Sequence, residues 1–328
     1  MGYSRDIYDR AMMVLNRNHT QAVKECDSRK AVFYNQYPRA AEIEQELTAT
    51  AVKTAKAVLS GGHAKEQLTW LKQQNLSLQT ERAQLLKSAG LSEAYLQPSF
   101  HCKNCEDEGF IDGRMCSCLK KQMRIEACNK LNDSTPLSLC TFENFSLHYY
   151  SSIPKDSDIS DYQKMEQILR YCKAYGEQFS MKSPSLFMQG GTGLGKTHLS
   201  LAIAHQAIEK DYSVIYGSAQ NMVTNLEKER FQKEMKQEDT NELMLECDLL
   251  ILDDLGTEFT TSFVTAAIYN IINTRLMAYK PTIISTNLSM RELEERYTER
   301  FASRILGSYI PLFFRGKDVR QQKRRKKQ

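Results

Sequence analysis

One run constrains this chain more than any other: Gly190-Gly191-Thr192-Gly193-Leu194-Gly195-Lys196-Thr197. An apolar stretch, Leu186 to Met188, comes before it, and Leu199, Ile203, Ala207 and Ile208 recur at helical spacing after it. A strand, a glycine loop and a helix in that order form the context of a P-loop. Glycines let successive N–H groups turn toward one anion, and the helix N-terminus adds favourable partial charge. Lys196 is placed to reach the outer phosphates of a nucleotide, and Thr197 to ligate Mg²⁺. The lysine is expected to face the phosphates and to carry no core packing. An ordinary glycine-rich turn would not need the lysine, the threonine and both flanks together.

A second motif supports the first. Leu249-Leu-Ile-Leu-Asp253-Asp254 is four apolar residues ending in acid, 57 residues beyond Lys196. The pattern fits a buried parallel strand that presents carboxylates at its C-terminal end. Asp253 is placed to hold Mg²⁺ and Asp254 to orient the attacking water. Pro281-Thr-Ile-Ile-Ser-Thr-Asn287 reads as another strand with a polar tip. Asn287 could reach the water or the terminal phosphate there, or simply cap the next helix. Helices are expected over about 162–179, from 219 to about 238 and over 263–278, with a strand over 212–216 and a polar surface loop over 151–161. Arg296, Arg300, Arg304, Arg315 and Arg320 follow. Arginine stabilises phosphoryl charge, so each is a candidate, and surface solvation is the competing reading.

The region before the P-loop has a different character. Residues 1–60 carry two helical patterns, one through Ile7, Ala11, Val14 and Leu15 and one through Ala41, Ile43, Leu47, Ala51, Ala55 and Val58, ended by Gly61-Gly62. A third pattern covers 64–88. These stripes can pack on each other as a small bundle, and such a module is also a candidate for partner binding. Cys102-Lys-Asn-Cys105 and Cys116-Ser-Cys118 follow, with Gly109 and Gly113 between them in a hairpin-like turn. Four thiolates at this spacing suit Zn²⁺ in a closed structural site, with His101 as a substitute ligand and free thiols as the alternative. Cys26, Cys128, Cys140, Cys172 and Cys247 are scattered and read as small apolar residues.

These motifs divide the chain into a helical region (residues 1–98), a cysteine knuckle with a linker helix (99–132) and an α/β nucleotide-binding domain (133–328), with the helix-breaking 132–136 between the last two. The 26% charged content is ordinary for a globular protein, no apolar run reaches the length of a membrane span, and no signal-peptide core is seen, so a cytoplasmic location is expected. Net charge is +4 but uneven. Residues 315–328 hold eight Lys/Arg against one Asp, a net +7, which leaves −3 for the rest. A basic segment on a slightly acidic body suggests contact with a polyanion.

Taken in series, Phe142-Glu-Asn-Phe145, Gly190–Thr197, Leu249–Gly256, Ile284–Asn287 and Glu299-Arg-Phe-Ala-Ser-Arg304 resemble the AAA+ ATPases. They are most similar to the bacterial replicative-helicase loaders of the DnaC and DnaI type, with their transposition relative IstB. The resemblance covers about 135–325. It implies a central parallel sheet, ATP with Mg²⁺ as ligand, and assembly into a ring or spiral. Lys196 and Thr197 would be the Walker A pair, Asp253 and Asp254 the Walker B pair, and Asn287 sensor 1. Arg300 matches the arginine finger and Arg320 the sensor 2 arginine, with Arg304 in reserve for either. The implied partners are the replicative DNA helicase and single-stranded DNA, or a transposase and duplex DNA in the IstB case. A nucleotide-binding DNA adaptor without hydrolysis would need the same binding residues. Aspartate at 254 reaches less far than the glutamate common in AAA+ proteins, so slow hydrolysis is implied.

Overall fold

In the computed structural model, residues 4–60, 64–132, 140–154, 159–231, 240–259 and 261–325 are described. The breaks expected at Gly61-Gly62 and over 133–136, the end of the helix expected to reach 238, and Lys326 to Gln328 lie outside them. The chain forms two compact units, Met12–Leu119 and Met1–Ala11 together with Lys120–Gln328. Among the described residues no helix is long and apolar enough to cross a membrane.

The first unit is built from α1 (Arg5–Gln36), whose later turns belong to it, α2 (Pro38–Ser60) and α3 (Ala64–Ser88). Pro38 opens α2, where a missing N–H costs nothing. Phe33, Ala40, Leu86 and Leu96 form a small core with Tyr34, Tyr37 and Leu91 packed around it. Arg39 makes a fork to both Glu81 oxygens (2.8 and 3.1 Å), tying α2 to α3. Gly90, at φ +72°, lets the Leu91 N–H return to the Leu86 carbonyl at 2.9 Å, which ends α3. A two-stranded hairpin follows, β1 (Phe110–Ile111) and β2 (Arg114–Met115), turning at Asp112 (φ +48°) and Gly113 (φ +75°). Two successive left-handed residues give the turn whose twist matches a hairpin, as the glycine at 113 suggested.

The second unit is a mixed α/β layer structure built on a central parallel sheet. Its parallel sheet has the order β4-β5-β6-β3-β7, with β3 Ser185–Gln189, β4 Val214–Ser218, β5 Leu249–Leu255, β6 Thr282–Thr286 and β7 Tyr309–Phe313. All five residues of β6 and six of seven in β5 are buried, the pattern of strands covered on both faces. The helices are α4 (Ser117–Asn132), α5 (Asp161–Glu177), α6 (Lys196–Glu209), α7 (Ala219–Phe231), α8 (Thr240–Glu246), α9 (Ser262–Met277), α10 (Met290–Tyr297), α11 (Glu299–Ser308) and α12 (Val319–Arg325). α5 opens with a capping box between Ser160 and Gln163. Asn132, at the end of α4, donates to the Val214 carbonyl (2.7 Å) and accepts from the Tyr216 N–H (3.0 Å), so that helix is fastened to β4.

β7 was not anticipated, since the sequence after Asn287 is read only for its arginines. Pro311 lies in the middle of it and removes one ladder donor, which confines the strand to the edge beside β3. The strand matters for the site because the Phe314 N–H bonds the Gln189 carbonyl at 2.7 Å, just before the P-loop.

Candidate nucleotide-binding site

The P-loop leaves the C-terminal end of β3, an interior strand of the sheet between β6 and β7. Gly190 (φ +154°) runs against Phe314, where an added Cβ would lie 2.7 Å from a carbonyl oxygen. Gly195 takes φ +89° at the start of α6, and an added Cβ would lie 2.6 Å from the Phe145 ring. Both positions therefore demand glycine for space as well as backbone angle. Phe145 belongs to the Phe-Glu-Asn-Phe motif, so that motif forms the wall beside the loop. Tyr150 donates to the Leu194 carbonyl at 3.0 Å from the same wall.

Lys196 differs from expectation. It is 4% exposed, and its ammonium donates to the carbonyls of Gly190 (2.7 Å) and Gly191 (2.9 Å) and to Asn287 Oδ1 (2.5 Å). The side chain passes under the loop, because turning the loop's N–H groups toward an anion leaves carbonyls such as those of Gly190 and Gly191 facing the other way. Burial lowers its pKa, and the Asp254 and Asp253 carboxylates oppose that shift.

Asp253 is 4% exposed and held from three sides. Its Oδ2 accepts from Thr197 Oγ1 at 2.9 Å and from the Tyr216 hydroxyl at 2.6 Å, and its Oδ1 from Ser285. The Thr197 hydroxyl and the Asp253 carboxylate are thus already together, a donor set that suits a hard cation such as Mg²⁺. Asp254 is only half-buried and lines the cleft, at φ +51°, with its N–H bound to Ser285 Oγ at 3.0 Å. Burial first, and then the neighbouring Asp253, push its carboxyl pKa up. Thr192, Gly193, Leu194, Gly195, Lys196, Thr197, Asp254, Asn287 and Arg320 line one cleft, so most of the residues singled out from sequence converge.

The arginines separate into two groups. Arg320 lies on α12 at the cleft, with Lys323 one turn on. That helix is docked by the Val319 N–H on the Gly193 carbonyl (3.0 Å) and by Gln322 on the Tyr149 carbonyl (3.0 Å). Arg300 is exposed on α11, and Arg304 sits over the Tyr269 ring at 5.8 Å; neither lines the cleft of its own chain. Sequence reasoning missed Tyr216, Ser285, Tyr149 and Tyr150. Tyr216 and Ser285 reach Asp253 only because β4 and β6 flank β5, which no local motif announces.

In the first unit, the Sγ atoms of Cys102, Cys105, Cys116 and Cys118 all lie within 4.8 Å of one another. Cys102 and Cys116 are 3.7 Å apart, Cys105 and Cys118 3.3 Å. A tetrahedral ion with Zn–S near 2.3 Å needs sulfurs about 3.8 Å apart, so the four fit zinc with little movement. The Gly109 N–H points at Cys105 Sγ (3.3 Å), and the buried Asp107 carboxylate accepts from the N–H groups of His101 (2.9 Å) and Cys102 (2.7 Å). His101 stands outside the sulfur group, 70% exposed.

Residues 161–309 match a family model described as IstB-like ATP binding protein. The sequence is 32% identical to the replicative helicase loader DnaI of Bacillus subtilis (strain 168) over 145 residues, covering 43% of this chain and 45% of DnaI. It is 25% identical to the replicative helicase loader DnaC of Escherichia coli (strain K12) over 178 residues, covering 53% of this chain and 66% of DnaC. The crystal structure of the DnaC helicase loader superposes with a TM-score of 0.46 at 22% identity, over 56% of this chain and 100% of that one. The chain therefore spans less than half the length of DnaI and about two thirds of DnaC. Over residues 161–309 the sequence is thus similar to the IstB-like ATP binding proteins, and over an overlapping stretch to the bacterial replicative helicase loaders.

Proposed function

We propose that this protein is an ATP-dependent loader of the replicative DNA helicase in replication initiation, binding ATP, single-stranded DNA and the helicase. The observation that carries the reading is the convergence of Lys196, Thr197, Asp253, Asp254 and Asn287 at one sheet end while Arg300 lies exposed outside that cleft. Lys196 and the loop N–H groups bind the phosphates, and Thr197 with Asp253 holds Mg²⁺. When bound there, Mg²⁺ would supply positive charge against the phosphates. Asp254 and Asn287 orient the attacking water, and Arg320 steadies the phosphates from α12. Arg300 serves the next subunit's site, so subunits join head to tail into a ring or spiral. Arg304 is the reserve for that role. Catalysis is positioning and electrostatics, and hydrolysis is slow because Asp254 is short.

The domain assignment follows the same reading. Residues 1–98 bind the helicase, 99–132 form a zinc knuckle with its linker helix, and 133–328 are the ATPase with a basic tail. That tail adds DNA affinity by releasing counterions, so binding should weaken steeply with salt. The match to an IstB-like model favours a second reading, an ATPase that assists a transposase on duplex DNA.

Mixing the purified protein with the host's replicative helicase tests the first reading. Co-elution with the helicase, and ATP turnover that responds to single-stranded DNA, are expected. Retention of a transposase in place of helicase would establish the second reading. Nucleotide binding without turnover under any DNA condition would leave only an adaptor. The trans role of Arg300 has its own test. Arg300→Ala binds ATP but hydrolyses poorly, Lys196→Ala cannot bind but still supplies a finger, and mixing the two restores part of the activity.

A further inference from the structure

The loop leaving β5 contains a carboxylate that has no place in the chemistry above. Glu258 is 1% exposed. Its Oε2 accepts the Gly256 N–H at 2.9 Å, and its Oε1 accepts the Tyr297 hydroxyl. The Arg296 guanidinium faces the same Oε1, with Nε at 3.6 Å, and also donates to the Glu258 backbone carbonyl. Burying a carboxylate is costly unless its oxygens find partners. Here it joins two regions.

On one side is the turn that carries Asp254. Thr257 Oγ1 donates to the Asp254 carbonyl at 2.9 Å, and Gly256, at φ +104°, is pressed against Leu288. On the other side Arg296 and Tyr297 end α10. Only Thr298 separates them from α11. Thr298 sits at φ +120°, a costly angle for a β-branched residue, and its hydroxyl accepts the Phe301 N–H. The Tyr297 and Phe301 rings stack at 4.8 Å, both 1% exposed. Arg300 is the residue before Phe301. A run of buried contacts therefore leads from the Asp254 turn through Glu258 and Tyr297 to the base of Arg300.

We propose that Glu258 is a positioning residue that fixes where a subunit presents Arg300 to its neighbour, by tying the end of α10 to the Asp254 turn. The inference rests on the reading of Arg300 as acting in trans. Asp254 itself has separate anchors in Ser285 and Thr257, so loss of the Glu258 link should impair the lent arginine more than hydrolysis at home.

Mixed assemblies test this directly. Lys196→Ala chains act as arginine donors, and Arg300→Ala chains supply the competent site. Glu258→Gln is placed first in the donor and then in the site-bearing chain. Glutamine keeps the shape and one hydrogen bond but loses the charge facing Arg296. Tyr297→Phe is the second variant, removing one hydroxyl while keeping the stacked ring, in case the first folds poorly. Recovered turnover should fall about fivefold when either change sits in the donor, and stay within about twofold when it sits in the site-bearing chain. Equal loss in both positions would make Glu258 a stability residue and overturn the proposal. So would no loss in either. If the parent mixture itself recovers nothing while wild-type chains assemble, the trans reading has failed and this inference fails with it.

Discussion

The P-loop and the cysteine loop are both short, glycine-bearing turns that gather polar atoms for a charged guest, and they are held by different means. The P-loop hangs from β3, which is paired on both edges, and the carbonyls of Gly190 and Gly191 already have a cation in the Lys196 ammonium. The cysteine loop hangs from two strands of two residues each. Its interior consists of four thiols, one N–H···S contact and the Asp107 carboxylate. On these grounds the P-loop should keep its shape without a guest, and the cysteine loop should need an ion as its core. Removing ligands should therefore empty the first and unfold the second.

The largest effect should follow from Cys102→Ser with Cys105→Ser. The wild-type chain should carry about one zinc, and the double variant none. In small zinc modules metal binding supplies on the order of 10–16 kcal/mol of apparent folding energy, so residues 101–119 should lose amide-exchange protection. ATP affinity should stay within about twofold, since the cleft uses none of these residues. Zinc-free wild-type protein with full protection in that segment would break the contrast.

Lys196→Ala is the matching experiment on the P-loop and should act mostly on affinity. ATP·Mg²⁺ binding should weaken at least about 100-fold, because charge-assisted bonds are worth about 1.5–3 kcal/mol each. The three acceptors under the loop lose their donor as well, so a stability loss of about 1 kcal/mol should accompany it. Calorimetric titration and thermal melting on the same sample measure both. A collapse of the second unit would show that the P-loop too depends on its internal cation.

Asp107→Asn sharpens the comparison. The carboxylate accepts two backbone N–H groups, and one of them belongs to the first cysteine. An amide has one acceptor oxygen, so one bond is lost and Cys102 is less well aimed. Zinc affinity should fall about tenfold, as expected for outer-shell partners, with the loaded fold unchanged. Competition against a chromophoric chelator reads it.

What could be read from the sequence follows the same division. The P-loop, Asp253-Asp254, Asn287 and the four cysteines are local motifs, in which spacing along the chain already implies spacing in the fold. Tyr216 and Ser285 gave no such signal, because strand neighbours are set by topology. Ser218 pairs with Asp253 across β4 and β5, a register that motif spacing does not encode. β7 was hidden by Pro311, which lowers strand propensity although an edge tolerates it. Burial of Lys196 was missed because a motif specifies which residue faces the ligand and says nothing of the carbonyls behind it. Arg300 and Arg304 look alike in sequence, and only their distance from the cleft separates both from Arg320.

The smallest effect should come from Tyr216→Phe, and its size measures how redundantly the cleft is built. The Tyr216 hydroxyl donates to Asp253 Oδ2, the oxygen that also accepts from Thr197. Ser285 holds the other oxygen. Deleting one hydroxyl leaves two donors in place, whereas Asp107 in the cysteine loop has no comparable relief. The Mg²⁺ concentration that half-saturates nucleotide binding should rise about threefold, short of the tenfold or more common for outer-shell partners. Turnover at saturating Mg²⁺ should barely change, because Asp254 and its Ser285 anchor are untouched. A fall in the Mg²⁺ requirement would mean that Tyr216 competes with the metal for Oδ2 instead of aiming it. A rise as large as that from Asp107→Asn would mean that the cleft depends on each of its supports as much as the cysteine loop does, and the contrast between the two turns would lie in their guests alone.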